Sequence, residues 1–372
     1  MAGIKAYIPH LIFTGDEWLN EHAVIGKGGI IKDLLPVTAL PVDMEREVYA
    51  NAILAPAFLD LQIYGAYEKL FAVYPDASSL ELLHKYCNKG GTAFCVPTVA
   101  TNEPEVFFKC IDAVKKYWQQ GGEGILGLHA EGPWINKLKR GAHIESLIHS
   151  PTLNEAKELL EYGKGVIKII TLAPEVCSKE VIELIGSYDI KIFAGHSNAT
   201  YEEAMQSFDN GITGVTHLYN AMSPLQHRSP GLVGAAFDHP NVMASIIADG
   251  YHADYAAIRI AKKIMQQRLF AITDAVTTTT RGYYQHQPEG DKYTSDNILS
   301  GSALTMYSAF QNLVNHCNIE PGEALRMCSL YPAQVMDMDN EVGRIAKSYK
   351  AKMVLLPEFP GTGSVNLINI IS

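Results

Sequence analysis

The sequence predicts an α/β protein: a (β/α)₈ barrel with a small β-sandwich domain formed by both chain ends. Three observations lead there. From Ala57 to about Leu330, short β-rich runs alternate with amphipathic helical patterns, the mark of βα units around a parallel sheet. Eight such runs can be marked, ending near Gln62, Pro97, Glu131, Leu172, His196, His217, Asp249 and Asp274. Both ends of the chain carry short apolar runs with no helical period, as small strands do. A chain of 372 residues, 47% of them apolar, has material for one large domain and a smaller companion.

Taken in order, the first 55 residues are broken by Gly26, Gly28-Gly29 and Pro36 and read as short strands. The barrel is expected over 56–334. Helices are predicted over Ser78–Asn88 and Pro104–Gln119, and Gly90-Gly91 and Gly121-Gly122 follow them, where a left-handed cap favours glycine. The stretch Thr277–Asn297 is polar, holds four consecutive threonines and Gly282, and reads as a long loop able to serve as a lid. The tail has Gly343-Arg344-Ile345, Ala351–Leu356 and Ser364–Ile371. Residues 335–372 are therefore expected to join 1–55 in one β-domain.

Composition narrows the partners. A formal charge of −10 argues against nucleic acid, which is held by broad basic surfaces, while a small anion needs only two or three local cations. Six scattered cysteines without a CxxC pair suit reduced thiols rather than a disulfide framework or a sulfur-ligated zinc. No run approaches the roughly 18–20 apolar residues of a membrane span, and the start lacks a secretory layout. The expectation is a soluble, cytoplasmic protein without a membrane partner.

In a barrel of the TIM type, active sites form at the C-terminal ends of the strands. Four predicted strands finish on chemistry-bearing residues: 125–131 on Glu131, 192–196 on His196, 214–217 on His217 and 269–274 on Asp274. One strand-end histidine is more often structural than a ligand, and a lone carboxylate is often a helix cap. Four on separate strands of one barrel converge in space, and coincidence becomes the poorer account. Glu131, His196 and His217 supply two imidazole nitrogens and one oxygen, a set suited to zinc, with iron, cobalt or manganese as alternatives. Asp274 is then placed to take a proton from water and return it to a leaving nitrogen.

Six motifs in order, His129-Ala130-Glu131-Gly132-Pro133 with Gly141-Ala142-His143, Thr171-Leu172-Ala173-Pro174-Glu175, Gly195-His196-Ser197-Asn198-Ala199, Thr216–Met222, Thr273-Asp274-Ala275 and Leu299-Ser300-Gly301-Ser302, resemble the series of the N-acetylglucosamine-6-phosphate deacetylases, within the amidohydrolases. The resemblance spans almost the whole barrel. It implies a deacetylase of a phosphosugar with one divalent metal per subunit held by Glu131, His196 and His217. Asp274 would be the acid/base, and His143 would help polarise the acetyl carbonyl. Asn220, Ala221, Arg228 and His252 would hold the sugar phosphate, Arg228 and His252 reaching across a homodimer interface into the neighbouring site. Where many amidohydrolases carry His-x-His after the first strand, this chain has Asp60-Leu61-Gln62-Ile63-Tyr64. Glutamine is a poor ligand for such metals, so a single-metal site is expected and Gln62 is assigned to the substrate side. Tyr64–Lys69 departs from the family's Asn-Gly-Cys-Gly-like loop, and Lys168 has no metal-bridging role without a His-x-His partner. The competing readings are an amidohydrolase acting on a cyclic amide or deaminating a base, and a catalytically silent sugar-phosphate-binding relative.

Overall fold

The eight apolar runs form one parallel sheet. In the computed structural model, which describes residues 3–357 and 369–371, the barrel strands, first to eighth, are Phe58–Ile63, Thr92–Ala100, Leu128–Glu131, Ile167–Leu172, Lys191–Ala194, Gly214–Val215, Met243–Ile247 and Leu269–Ile272. They pair in chain order. The eighth meets the first through backbone: Asp274 N–H donates to the Gln62 carbonyl and Tyr64 N–H to the Ala275 carbonyl, each at 2.9 Å. That contact closes the sheet into a barrel. Every residue of the first and second strands is buried, as in a parallel sheet whose outer face is covered by helices.

Helix Ala77–Lys89 starts on Asp76, whose carboxylate accepts from Ser79 N–H at 2.8 Å, and it buries Leu80, Leu83 and Cys87 against the barrel. Helix Pro104–Gln119 opens with proline in its first turn and buries Phe107, Cys110, Ile111, Val114 and Tyr117, one face at 3.6-residue spacing. Gly91 and Gly121 adopt φ of 77° and 81°, the left-handed caps that the glycine pairs predict.

Two expectations are corrected. The second strand continues past Pro97 to Ala100. Its pairing with the first strand is irregular between Asp60 and Ile63, so the missing proline N–H falls where the ladder is already interrupted. The stretch Thr277–Asn297 is not wholly loop: Gln287–Glu289, Lys292–Ser295 and Ile298–Ser302 make a three-stranded antiparallel sheet. Its turns are Gly290-Asp291 and Asp296-Asn297, with positive φ at Gly290, Asp296 and Asn297, the chemistry of two-residue hairpins.

The chain ends meet. Lys5–Phe13 pairs parallel with Glu45–Pro56 and antiparallel with Trp18–Asn20 and His22–Lys27. His22–Lys27 takes Ile30–Pro36, and Met353–Pro357 joins Glu45–Pro56 and carries Asn369–Ile371. The result is one seven-stranded sheet; the predicted tail run over 364–368 lies outside the described residues. Alternation sorts its faces. Phe13, Ile53, Ala55, Val354 and Leu356 point into the barrel's core cluster, while Ile12, Ala52, Leu54, Met353 and Leu355 form a second cluster on the other face.

Candidate active site

Three strand-end residues leave the barrel by the same backbone turn. His196, His217 and Asp274 each lie two residues beyond the last residue of a strand, and their φ values are 48°, 37° and 54°. Non-glycine residues seldom adopt this region, and it persists only where the surroundings over-determine it. Here they do. The His217 N–H donates to Ser245 Oγ at 2.7 Å and the Asp274 N–H is held by the barrel closure. The loop after His196 is tied by Glu175, whose carboxylate accepts from Ser197 Oγ at 2.7 Å and Asn198 N–H at 2.6 Å. That gives the Pro174-Glu175 motif a structural purpose. Gly195 is required too, because a Cβ there would come within 2.7 Å of Thr171 Cγ2.

The side chains meet around Glu131, which is 1% exposed. Its Oε1 lies 3.1 Å from His217 Nε2 and 3.4 Å from His196 Nε2, and the two Nε2 atoms are 3.1 Å apart. His196 Nδ1 is 3.0 Å from the Lys139 carbonyl. A carbonyl only accepts, so in the neutral ring the proton sits on Nδ1 and the Nε2 lone pair faces Glu131 Oε1. Lone pair against carboxylate is repulsive unless a cation lies between them. A tetrahedral centre with bonds of about 2.0–2.2 Å separates its ligands by roughly 3.3–3.6 Å, close to the triangle observed. The donor set therefore fits a first-row divalent cation.

His143 also reaches this cluster. Glu131, His143 and His196 offer ligand atoms within 4.8 Å of one another. The two oxygens of Glu131 separate the histidines: Oε1 faces His196 and His217, whereas His143 Nε2 approaches Oε2 at 3.4 Å. Its Nδ1 is 2.7 Å from Thr101 Oγ1. The triangle with all three atoms within 3.4 Å of one another is the one on the Oε1 side.

Burial raises the pKa of Glu131, but the imidazoles of His143, His196 and His217 around it outweigh that and hold the carboxyl well below its usual range. Asp274 goes the other way. Burial first, then the charges of Glu131, Asp60 and Asp249, push it well above the carboxylate range, and the nearby Tyr64 hydroxyl only partly offsets them. Its Oδ1 is buried without a hydrogen-bond partner. Burial, then the neighbouring His196, lowers His143 to about 4, so its ring is neutral at physiological pH.

The cluster lies in the wall of a cavity of about 180 Å³ that Asn220, Ala221 and His252 also line. His252 Nδ1 is fixed at 2.6 Å by Asp249 Oδ2. Two predicted residues lie elsewhere. Gln62, expected on the substrate side, is buried behind the wall with Nε2 at 2.9 Å from Glu131 Oε1 and 3.0 Å from the Tyr64 hydroxyl. Arg228 is exposed on the 223–230 loop and does not line the cavity. Lys168 sits near the start of the fourth strand, at the end of the barrel away from the site. Sequence reasoning missed Tyr64, Thr101, Tyr284 and His286 as cavity or supporting residues. For Tyr64 a signal existed, since Asp60, Gln62 and Tyr64 alternate as polar residues along an otherwise apolar strand and share one face.

A barrel whose strand ends assemble two imidazoles and a carboxylate around one point, beside a second buried carboxylate, is the architecture of the amidohydrolases. Residues 86–369 match the Amidohydrolase family and residues 8–51 match the NagA composite domain. An N-acetylglucosamine-6-phosphate deacetylase of Haemophilus influenzae is 32% identical, covering 97% of each chain. One of Homo sapiens is 34% identical over 93% of this chain and 90% of its own. The crystal structure of the Pasteurella multocida N-acetylglucosamine-6-phosphate deacetylase superposes with a TM-score of 0.91 at 31% identity, covering 95% of this chain and 96% of that one. Among the amidohydrolases, this chain belongs to the N-acetylglucosamine-6-phosphate deacetylase family. An N-acetylgalactosamine-6-phosphate deacetylase of Escherichia coli is also related, at 28% identity over 93% of each chain.

Proposed function

We propose that this chain hydrolyses the acetamide of N-acetylglucosamine 6-phosphate, giving glucosamine 6-phosphate and acetate. The observation that carries the reading is the His196 lone pair, fixed by the Lys139 carbonyl, meeting His217 Nε2 and Glu131 Oε1 beside a buried carboxylate whose Oδ1 has no partner. A divalent cation held by Glu131, His196 and His217 would lower the pKa of water, polarise the amide carbonyl and favour the ionised form of Asp274. Zinc is our first choice, and iron, cobalt or manganese suit the same ligands.

Asp274 takes a proton from the attacking water as its oxygen adds to the carbonyl carbon. The Thr101 hydroxyl can donate to Nδ1 of His143, and in that tautomer the neutral ring carries its proton on Nε2 and donates to the carbonyl oxygen as negative charge develops there. Asp274 then delivers the proton to the nitrogen, the C–N bond breaks, and acetate and the amine leave. Asn220, Ala221 and His252 line the side of the cavity assigned to the sugar phosphate. No lysine or arginine lies among the described residues lining this cavity, yet the substrate is a dianion. We therefore assign its missing cation to Arg228 of a second subunit, with His252 near the same interface. A phosphorylated sugar stays within the cell that makes it, and the free cysteines suit a reducing cytoplasm.

The test is acetate release from N-acetylglucosamine 6-phosphate by metal-stripped protein and after adding back each metal, with the galacto epimer alongside. Release that requires metal supports the reading; none with any metal identifies a silent relative. In the same assay, Arg228→Ala raises KM for the phosphorylated sugar about 10- to 100-fold, the cost of a charge-assisted contact, and leaves N-acetylglucosamine nearly unchanged. Equal effects on both sugars refute that assignment.

A further inference from the structure

We infer that Tyr64 is a positioning residue of the metal centre, whose hydroxyl occupies Glu131 Oε2 so that only Oε1 is offered to the cation. The inference rests on the metal-centre reading above and deepens it. Two hydrogen bonds reach Glu131 from Gln62 and Tyr64, and a third ties these two side chains together. The Tyr64 hydroxyl donates to Oε2, the Gln62 amide donates to Oε1 at 2.9 Å, and the same amide donates to the Tyr64 oxygen at 3.0 Å. A phenol has one proton, and with Gln62 filling its acceptor side, that proton points at Glu131. The carboxylate is thereby held at both oxygens before any ligand arrives.

The consequence is geometric. A free carboxylate beside a divalent cation can bind through one oxygen or chelate through both. At this centre, chelation would break the hydrogen bond from Tyr64 to Glu131, a loss that water does not make good at a buried site. Single-oxygen ligation keeps it. The hydroxyl also lies beside Asp274, whose unpartnered oxygen is Oδ1. One side chain thus borders both carboxylates that the reaction uses. Residues 62 and 64 can cooperate because they share the inward face of one strand, in the position where a second pair of imidazoles would otherwise stand.

The variant is Tyr64→Phe. It removes only the hydroxyl, and the ring keeps its packing against Leu70, Ala100 and Tyr284. Two quantities are read on native and variant protein: zinc affinity by competition with a chelating dye, and the visible absorption of the cobalt-substituted form, which reports coordination number. Loss of a hydrogen bond that orients a ligand lowers metal affinity about 10- to 100-fold. The cobalt band should weaken several-fold as Glu131 turns both oxygens to the ion and coordination rises. A variant that binds zinc within about twofold of native and gives a superimposable cobalt spectrum overturns the inference while leaving the metal centre intact. A native protein that binds neither metal overturns the centre itself, and this inference with it.

Discussion

In the small sheet, Ile12, Val24, Ile31, Leu54 and Met353 are fully buried and all apolar, each following its strand's two-residue alternation. At the mouth of the barrel and just beneath it, Asp60, Gln62, His129, Glu131, His143, His196, His217 and Asp274 are buried as well, and three of them sit on left-handed turns. Burial in the first region removes apolar surface from water and stabilises the fold. Burial in the second strips water from ionisable groups, which is costly unless they are paired. The barrel tolerates the cost because its closed ladder fixes the strand ends independently of what they carry. Local rules hold where the molecule needs only to stand, and break where it must act.

The sharpest test of that contrast is Asp274→Asn. Turnover should fall about 10²- to 10⁴-fold, the usual reach of a general acid and base, with the metal content per chain unchanged. The thermal midpoint should stay level or rise, since a buried carboxylate with an unpartnered oxygen is replaced by a neutral amide. A variant that keeps native turnover would remove Asp274 from the chemistry. Leu54→Ala is the complementary change in the small sheet. It should cost about 2–5 kcal/mol in denaturant unfolding, while turnover per folded, metal-loaded chain stays near native. A large fall in that turnover would show that the two regions are coupled rather than separate.

The same contrast explains what is legible in the sequence. A barrel strand reads as an apolar run, and the residue that ends it stands out; hence Glu131, His196, His217 and Asp274 are recognisable from the amino-acid order alone, along with the eight strand positions. Side-chain direction beyond the strand end is not legible. The sequence puts Gln62 on the substrate side, yet its amide turns to Glu131, 69 residues away; nothing in local periodicity encodes a partner across the barrel. Thr101 is hidden for the same reason, since it matters through the histidine it orients, 42 residues away. The hairpins over 287–302 are legible in principle, through Gly290-Asp291 and Asp296-Asn297, but the polarity of the stretch outweighs its turn chemistry.

Asp60 offers the smallest and most specific probe, because it lies under the mouth and touches no proposed ligand. Its Oδ1 accepts from the backbone N–H groups of Thr273 and Gln62, and its Oδ2 from the Thr273 hydroxyl. Burial nonetheless dominates and pushes its pKa up from 3.8 to about 6, the hydrogen bonds only moderating the rise. A folded-state pKa above the unfolded one means that the folded protein binds the proton more tightly. The associated stability is fully present below about pH 4 and is lost as pH rises through 6. Asp60→Asn removes the titration but loses one acceptor, a pH-independent offset. Relative to native, the variant should therefore gain about 1–2 kcal/mol on going from pH 5 to pH 8, measured as the difference in unfolding free energy at the two values. A difference that stays constant, or moves in favour of the native chain at pH 8, would mean that Asp60 remains ionised throughout and that its hydrogen bonds, not its burial, set the balance beneath the site.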